Sequence, residues 1–129
     1  MRAALLLLLL LPGCAACPAG YRPATVAELF LGRATPEGGE VSEAEWRDFL
    51  AGTVTPAFPE GLAVQDTAGQ WRDTTGRVIR ERGWRLTLVL PGQDTATAAA
   101  RIAPLAEAYT QRFRQESVLR LATPTCSAF

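Results

Sequence analysis

The chain contains no histidine and no lysine, and its one methionine is the initiator. The first two absences remove whole classes of chemistry. Without an imidazole there is no Ser-His-Asp or Cys-His nucleophilic system and no histidine-ligated metal. Without a lysine there is no Schiff base and no phosphate-loop ammonium. No metal site and no cofactor is predicted. Any catalysis would have to rest on carboxylates, Tyr21, Tyr109, arginines or a thiol. Neither sign of charge prevails: thirteen arginines face thirteen carboxylates, for a net charge of zero. A bulk attraction to nucleic acid is therefore not expected. Long apolar runs are also missing. The longest, Ala3 to Leu11, has nine residues, well short of the roughly 20 needed to cross a bilayer as a helix.

That short run has a purpose of its own. Met1-Arg2 is a positive start, Pro12-Gly13 breaks the run, and Cys14 follows. This is the layout of a signal peptide over residues 1–13. Leu11-Pro12-Gly13-Cys14 further resembles a lipobox, which would make Cys14 the lipid-bearing first residue of the mature chain and its anchor to the membrane. Proline at the second position departs from the usual Ala, Ser or Thr. Three other readings stand beside it. Ordinary signal peptidase could cleave, although no clean A-x-A site precedes Tyr21. Cys14-Ala15-Ala16-Cys17 matches C-x-x-C, a weak redox or metal signal without a second pair. Ala15-Ala16-Cys17 could also serve as a poorer lipobox. Ala15, rather than Asp, after Cys14 points to an outer-membrane lipoprotein facing the periplasm.

Residues 14–25 read as an anchor and linker, and residues 26–129 as one α+β domain. The composition, 48% apolar and 20% charged, is that of a chain that folds. Val26 to Arg33 predicts a strand. Ser42 with Glu45 forms a capping box, Val41 and Trp46 a hydrophobic staple, and Trp46, Phe49, Leu50 and Val54 a helical stripe ended by Pro56 and Pro59. Leu62 to Asp66 predicts a second strand. A long hairpin turns at Asp73 to Gly76, and Trp84 to Leu90 predicts a third strand after Gly83. Asp94 or Thr95 opens a second helix with Ala99, Ile102, Leu105, Ala106, Tyr109 and Phe113 as its stripe and Pro104 as a kink. Ser117 to Ala122 predicts the last strand. The order β-α-β-β-α-β favours a ferredoxin-like sandwich, with two helices on one face of an antiparallel sheet ordered 4-1-3-2.

That topology makes the first and last strands neighbours and delivers Cys17 and Cys126 to one end. Cys14–Cys17, Cys14–Cys126 and free thiols are the alternatives; with Cys14 lipidated, a Cys17–Cys126 disulfide remains. The opposite end collects Arg33, Arg72, Arg77, Arg80, Arg82, Arg112 and Arg114 with Trp71, which could stack on Arg80. The functional reading is a surface for an anionic glycan or protein partner; the plainer one is a solvated hairpin. On the sheet, Leu29, Leu31, Leu86, Leu88, Leu119 and Leu121 are expected to face the helices. The other parity presents Glu28, Phe30, Thr87, Val89, Val118 and Arg120, with Glu28 and Arg120 as a diagonal pair. That half-apolar face is a candidate ligand site or homodimer surface.

Glu28-Leu-Phe-Leu-Gly-Arg33, Val41-Ser-Glu-Ala-Glu-Trp46, Val54-Thr-Pro-Ala-Phe-Pro59, Gln70-Trp-Arg-Asp73 and Arg112-Phe-Arg-Gln-Glu-Ser-Val-Leu119 together resemble a family of small bacterial envelope proteins. That family is known as a domain of unknown function, and many of its members are read as lipoproteins. The resemblance implies an envelope location and carries over no activity, cofactor or catalytic residue. Two functional classes follow. One is a non-catalytic, lipid-anchored binding or interaction module. The other is a small enzyme or ligand-binding protein using the open sheet face of a dimeric α/β barrel, with Glu28, Glu116 and Tyr109 as its acid–base groups.

Overall fold

The computed structural model describes residues 16–129; Cys14 and the signal segment lie outside them. Four strands form one antiparallel sheet: β1 (Arg22–Gly32), β2 (Ala63–Arg72), β3 (Val78–Pro91) and β4 (Leu119–Ser127). Their spatial order is β2-β3-β1-β4, the expected arrangement. The helical layer comprises α1 (Glu43–Phe49), a π-helical stretch Leu50–Val54, a last short turn α2 (Thr55–Ala57), and the long α3 (Thr95–Phe113). The fold is a ferredoxin-like α+β sandwich.

Local chemistry sets the element boundaries. Ser42 Oγ accepts from the Glu45 amide at 3.2 Å, and Glu45 Oε2 accepts from the Ser42 amide at 2.8 Å, so the capping box closes reciprocally. Val41 and Trp46, the staple pair, are both buried. The helix then widens. Phe49 and Val54 are five residues apart and both buried, a spacing that an α-helix would carry off one face and a π turn restores. Asp94 caps α3 by accepting from the Thr97 amide at 2.7 Å. The helix continues through Pro104. Pro104 and Ala100, whose carbonyl loses its donor, both lie on the exposed side, where solvent can take the donor's place. In the α3 stripe the first buried residue is Ala98 rather than Ala99.

The predicted hairpin and third strand are a single 14-residue strand, because Gly83 continues the β3 ladder with partners on both sides, Gly32 and Thr67. At the hairpin tip Asp73 Oδ1 accepts from Thr75 N at 3.0 Å and Arg77 N at 2.9 Å. Gly76 takes φ 86° there, a left-handed turn conformation that favours glycine. β4 begins and ends later than expected and passes through Pro124, which an edge strand tolerates because one side of its backbone needs no partner.

The core lies between the helices and one face of the sheet. Ala27, Leu29 and Leu31 from β1 and Trp84, Leu86, Leu88 and Leu90 from β3 pack against Trp46, Phe49, Ile102, Leu105, Tyr109 and Phe113. Trp46 stacks on Trp84 with centroids 4.5 Å apart. Cys17 and Cys126 form a disulfide beside the Pro23–Cys126 pairing of β1 and β4.

One register differs from expectation. Phe30 lies opposite Leu119, Glu28 opposite Leu121 and Leu29 opposite Arg120. Directly paired residues share a face, so Leu119 and Leu121 belong to the open face, 57% and 40% exposed, while Val118 and Arg120 turn to the helix side. The Glu28–Arg120 pair therefore does not form. Glu28 instead accepts from Arg85 Nε at 2.6 Å.

Candidate functional site

The arginine-rich end was the first expectation for a site, and its charges are largely spent. Arg33 is 5% exposed. Its Nε–H donates to Val41 O at 3.1 Å, its Nη1 pairs with Glu43 at 2.7 Å, and its guanidinium lies 4.4 Å from the centre of the Trp84 ring. Arg77 pairs with Asp73 at 3.4 Å and Arg114 with Glu37. Arg72 donates to Gly76 O at 3.0 Å. Arg112 lies over the Phe113 ring. Arg80 is exposed opposite Gln70, and Trp71 does not stack on it: the indole reaches Glu81 instead. The amides at the start of α1, at the same end, are closed by Ser42 and Glu45. A cation matched to a carboxylate offers little net field to an anion, and four of the seven arginines, Arg33, Arg77, Arg82 and Arg114, are matched in this way. That leaves Arg72, Arg80 and Arg112 as the cations of this end without a carboxylate partner among the described residues.

The open face supplies a better-built feature. Where β1, β2 and β3 run side by side, Gly32, Gly83 and Gly69 leave the sheet without side chains. The result is a depression of about 240 Å³ lined by Phe30, Gly32, Thr67, Gly69, Trp71, Glu81, Gly83, Gln115, Ser117 and Leu119, with Leu31, Gln70 and Arg82 of the opposite parity at its floor. Strand alternation sends the Arg82 side chain to the other face, where its guanidinium lies 3.9 Å from Glu40.

Glu81 is held firmly at the head of this depression. Its Oε1 accepts from Trp71 Nε1–H at 2.5 Å and its Oε2 from the Ala34 amide at 2.9 Å. The carboxylate lies across Gly32, where a Cβ would fall 2.6 Å from both oxygens; only glycine admits this approach. The Gly32–Ala34 segment is fixed from other directions too. Tyr109 OH donates to Gly32 O at 2.8 Å, and Gln115 Nε2 donates to Ala34 O at 2.8 Å. Burial, with Glu81 close by, pushes the Tyr109 phenol well above its ordinary range. In this position it is a structural hydrogen-bond donor to Gly32 O.

A second, polar depression of about 420 Å³ adjoins the first and shares Trp71, Glu81 and Gln115 with it. Asp73, Arg77, Arg114 and Glu116 line its far side, and Glu116 Oε1 accepts from the Thr74 amide at 3.0 Å, tying the hairpin tip to the segment before β4.

Of the expected sheet-face residues, Phe30 lines the depression, Glu28 and Val89 lie further along the same face, and Arg120 is on the other side beside Ala99 and Ile102. The acid–base trio does not converge. Glu28 is paired with Arg85, Glu116 with the hairpin backbone, and Tyr109 is in the core. Sequence reasoning missed Glu81 and the three glycines. The available signal was parity: Gly69, Trp71, Glu81 and Gly83 alternate onto one face once the hairpin is closed at Asp73. Among the described residues no three His, Cys, Asp or Glu side chains converge to hold a metal, and no helix is long and apolar enough to cross a membrane.

No curated protein sequence matches the chain significantly. Among solved structures, a phage SAM lyase in complex with S-methyl-5′-thioadenosine superposes with a TM-score of 0.63 at 13% identity, covering 90% of this chain and 95% of that one. A phage SAM lyase in the apo state superposes with a TM-score of 0.60 at 13% identity, covering 91% and 97%. At that identity the likeness is one of fold. Over residues 26–129 the chain matches the family model described as a protein of unknown function, DUF3574, and it belongs to that family.

Proposed function

We propose that this chain is an exported, lipid-anchored envelope protein, held at Cys14 in the outer membrane and facing the periplasm, whose domain is a non-catalytic binding module. The observation that carries the binding role is the glycine-lined depression on the open sheet face, with Glu81 braced at its head by Trp71 and Ala34. A rigid, pre-formed recess with few polar groups is how small-ligand sites are built. The disulfide supports the arrangement relative to the membrane. Cys17, three residues after Cys14 in the sequence, is tied to the start of β1, and the depression lies at that strand's far end. At ~3.3 Å per residue the separation is roughly 30 Å, which would carry the recess away from the anchor. The test has two arms. Cys14→Ala should abolish lipid labelling and move the protein to the soluble periplasmic fraction. A metabolite mixture titrated into isotope-labelled protein should shift the Gly32, Gly69 and Gly83 amides, and Gly69→Phe should suppress those shifts. Unchanged membrane association would overturn the anchor, and silent glycines the binding site.

A second reading is an enzyme working on the same face. What favours it is the fold shared with the phage SAM lyases, together with a carboxylate at the recess. Incubation with SAM and chromatographic detection of S-methyl-5′-thioadenosine decides between the two: product lost in Glu81→Gln would replace the non-catalytic reading.

A further inference from the structure

We infer that the depression selects a small organic cation, an amine or guanidine carried on an apolar or aromatic body, with Glu81 as its counter-ion. This deepens the binding reading above and rests on it.

Three observations converge. The first is charge. Glu81 accepts two hydrogen bonds from neutral donors, Trp71 Nε1–H and the Ala34 amide, and no arginine lies within ion-pairing distance of it among the described residues. Arg82, adjacent in sequence, sends its charge to the other face of the sheet toward Glu40. The recess thus contains one carboxylate and, among the described residues, no cation paired with it. The second is capacity. A carboxylate has about four acceptor positions, and Glu81 uses two. The remaining two are available to a charged donor, which would bind more strongly than a neutral one. The third is the lining. Phe30, Leu119 and Trp71 provide apolar and aromatic surface around the carboxylate, suited to the body of such a ligand and, at the rings, to its charge. At about 240 Å³ the recess is smaller than typical drug-sized sites of roughly 300–1,000 Å³, which matches a small molecule rather than a protein segment.

The same full-length protein, labelled for amide detection, is titrated with three probes of matched shape: 2-phenylethylamine, 2-phenylethanol and 3-phenylpropionate. The expected result is binding in the order cation, neutral, anion, read at the Gly32, Gly69 and Gly83 amides, with about tenfold or more between the first two. Glu81→Gln should reduce that preference to about twofold or less while retaining the neutral probe. Gly69→Leu, whose Cβ would meet nothing within 4 Å, should abolish all three without disturbing Glu81, and serves if Glu81→Gln folds poorly. Equal binding of amine and alcohol would overturn the counter-ion role and leave the recess as a site. No shift at any of the three glycines with any probe would overturn both. Binding of an arginine-bearing peptide in the recess with none of the free amine would overturn the small-molecule assignment.

Discussion

Breaking the Cys17–Cys126 disulfide is the perturbation whose size follows most directly from the structure. The bond joins residues 109 apart in sequence, so it closes almost the whole described domain into a loop. Chain-entropy loss in the unfolded state grows with the logarithm of that length, and at this separation it corresponds to about 4.8 kcal/mol at 25 °C. The native state needs no distortion to hold the bond, because the pairing of Pro23 with Cys126 in the β1–β4 ladder already brings the two segments together. Residual structure in the unfolded chain lowers the expected loss to roughly 2–4 kcal/mol, a large share of the about 5–15 kcal/mol typical of a domain. The measurement is urea denaturation of Cys126→Ser in a Cys14→Ser background, where no third thiol can exchange, against Cys14→Ser alone. Peptide mapping without reductant should show the Cys17–Cys126 crosslink in the parent. A loss below about 1 kcal/mol would refute the entropic reasoning, and two freely alkylated thiols in native protein would remove its premise.

Gly32→Ala should displace the Glu81 carboxylate, since its Cβ would lie 2.6 Å from both oxygens; with the Trp71 and Ala34 bonds lost, we expect about 1–3 kcal/mol of destabilisation and altered Trp71 fluorescence, and an unchanged melting curve would contradict the geometry. Tyr109→Phe removes the bond to Gly32 O, for a loss of about 1 kcal/mol by chemical denaturation. Because the folded-state pKa of Tyr109 is raised, wild-type stability should be intact below the unfolded value near 10 and fall as pH rises above it, a slope that Tyr109→Phe should flatten. At the acid end, hydrogen bonds from Thr97 hold Asp94 below its ordinary pKa, so the cap should contribute above the unfolded value and be lost as pH falls through the folded one. Thermal melts between pH 5 and about pH 2 should show that loss in wild type and a flatter profile in Asp94→Ala. If the open face is a homodimer surface, Phe30→Glu or Val89→Arg should yield folded monomers by light scattering, whereas a wild type that is monomeric at high concentration would remove the idea.

What the sequence determined by itself was local chemistry and the consequences of topology. The Ser42–Glu45 box, the Asp94 cap and the Asp73 turn each depend on residues within four positions of one another, so their partners are legible in a window. Strand order followed from the alternation of elements, and the disulfide followed from strand order once Cys14 was set aside for the lipid, because adjacency of β1 and β4 brings Cys17 to Cys126. Only the tertiary structure decided the parity of β4. Both of its faces carry apolar groups, Leu119 and Leu121 on one and Val118 and Ala122 on the other, and β1 sets the register through Phe30 opposite Leu119. The same holds for the arginines. Arg33 reads as a surface cation until Trp84 of β3, Val41 of the loop before α1 and Glu43 of α1 close around it. Glu81 carries no local mark in the sequence that sets it apart from the other charges of the hairpin. It became a site residue because Gly32, on a strand almost fifty positions earlier, leaves the space into which its carboxylate folds, and long-range vacancies of that kind have no signature in a local window.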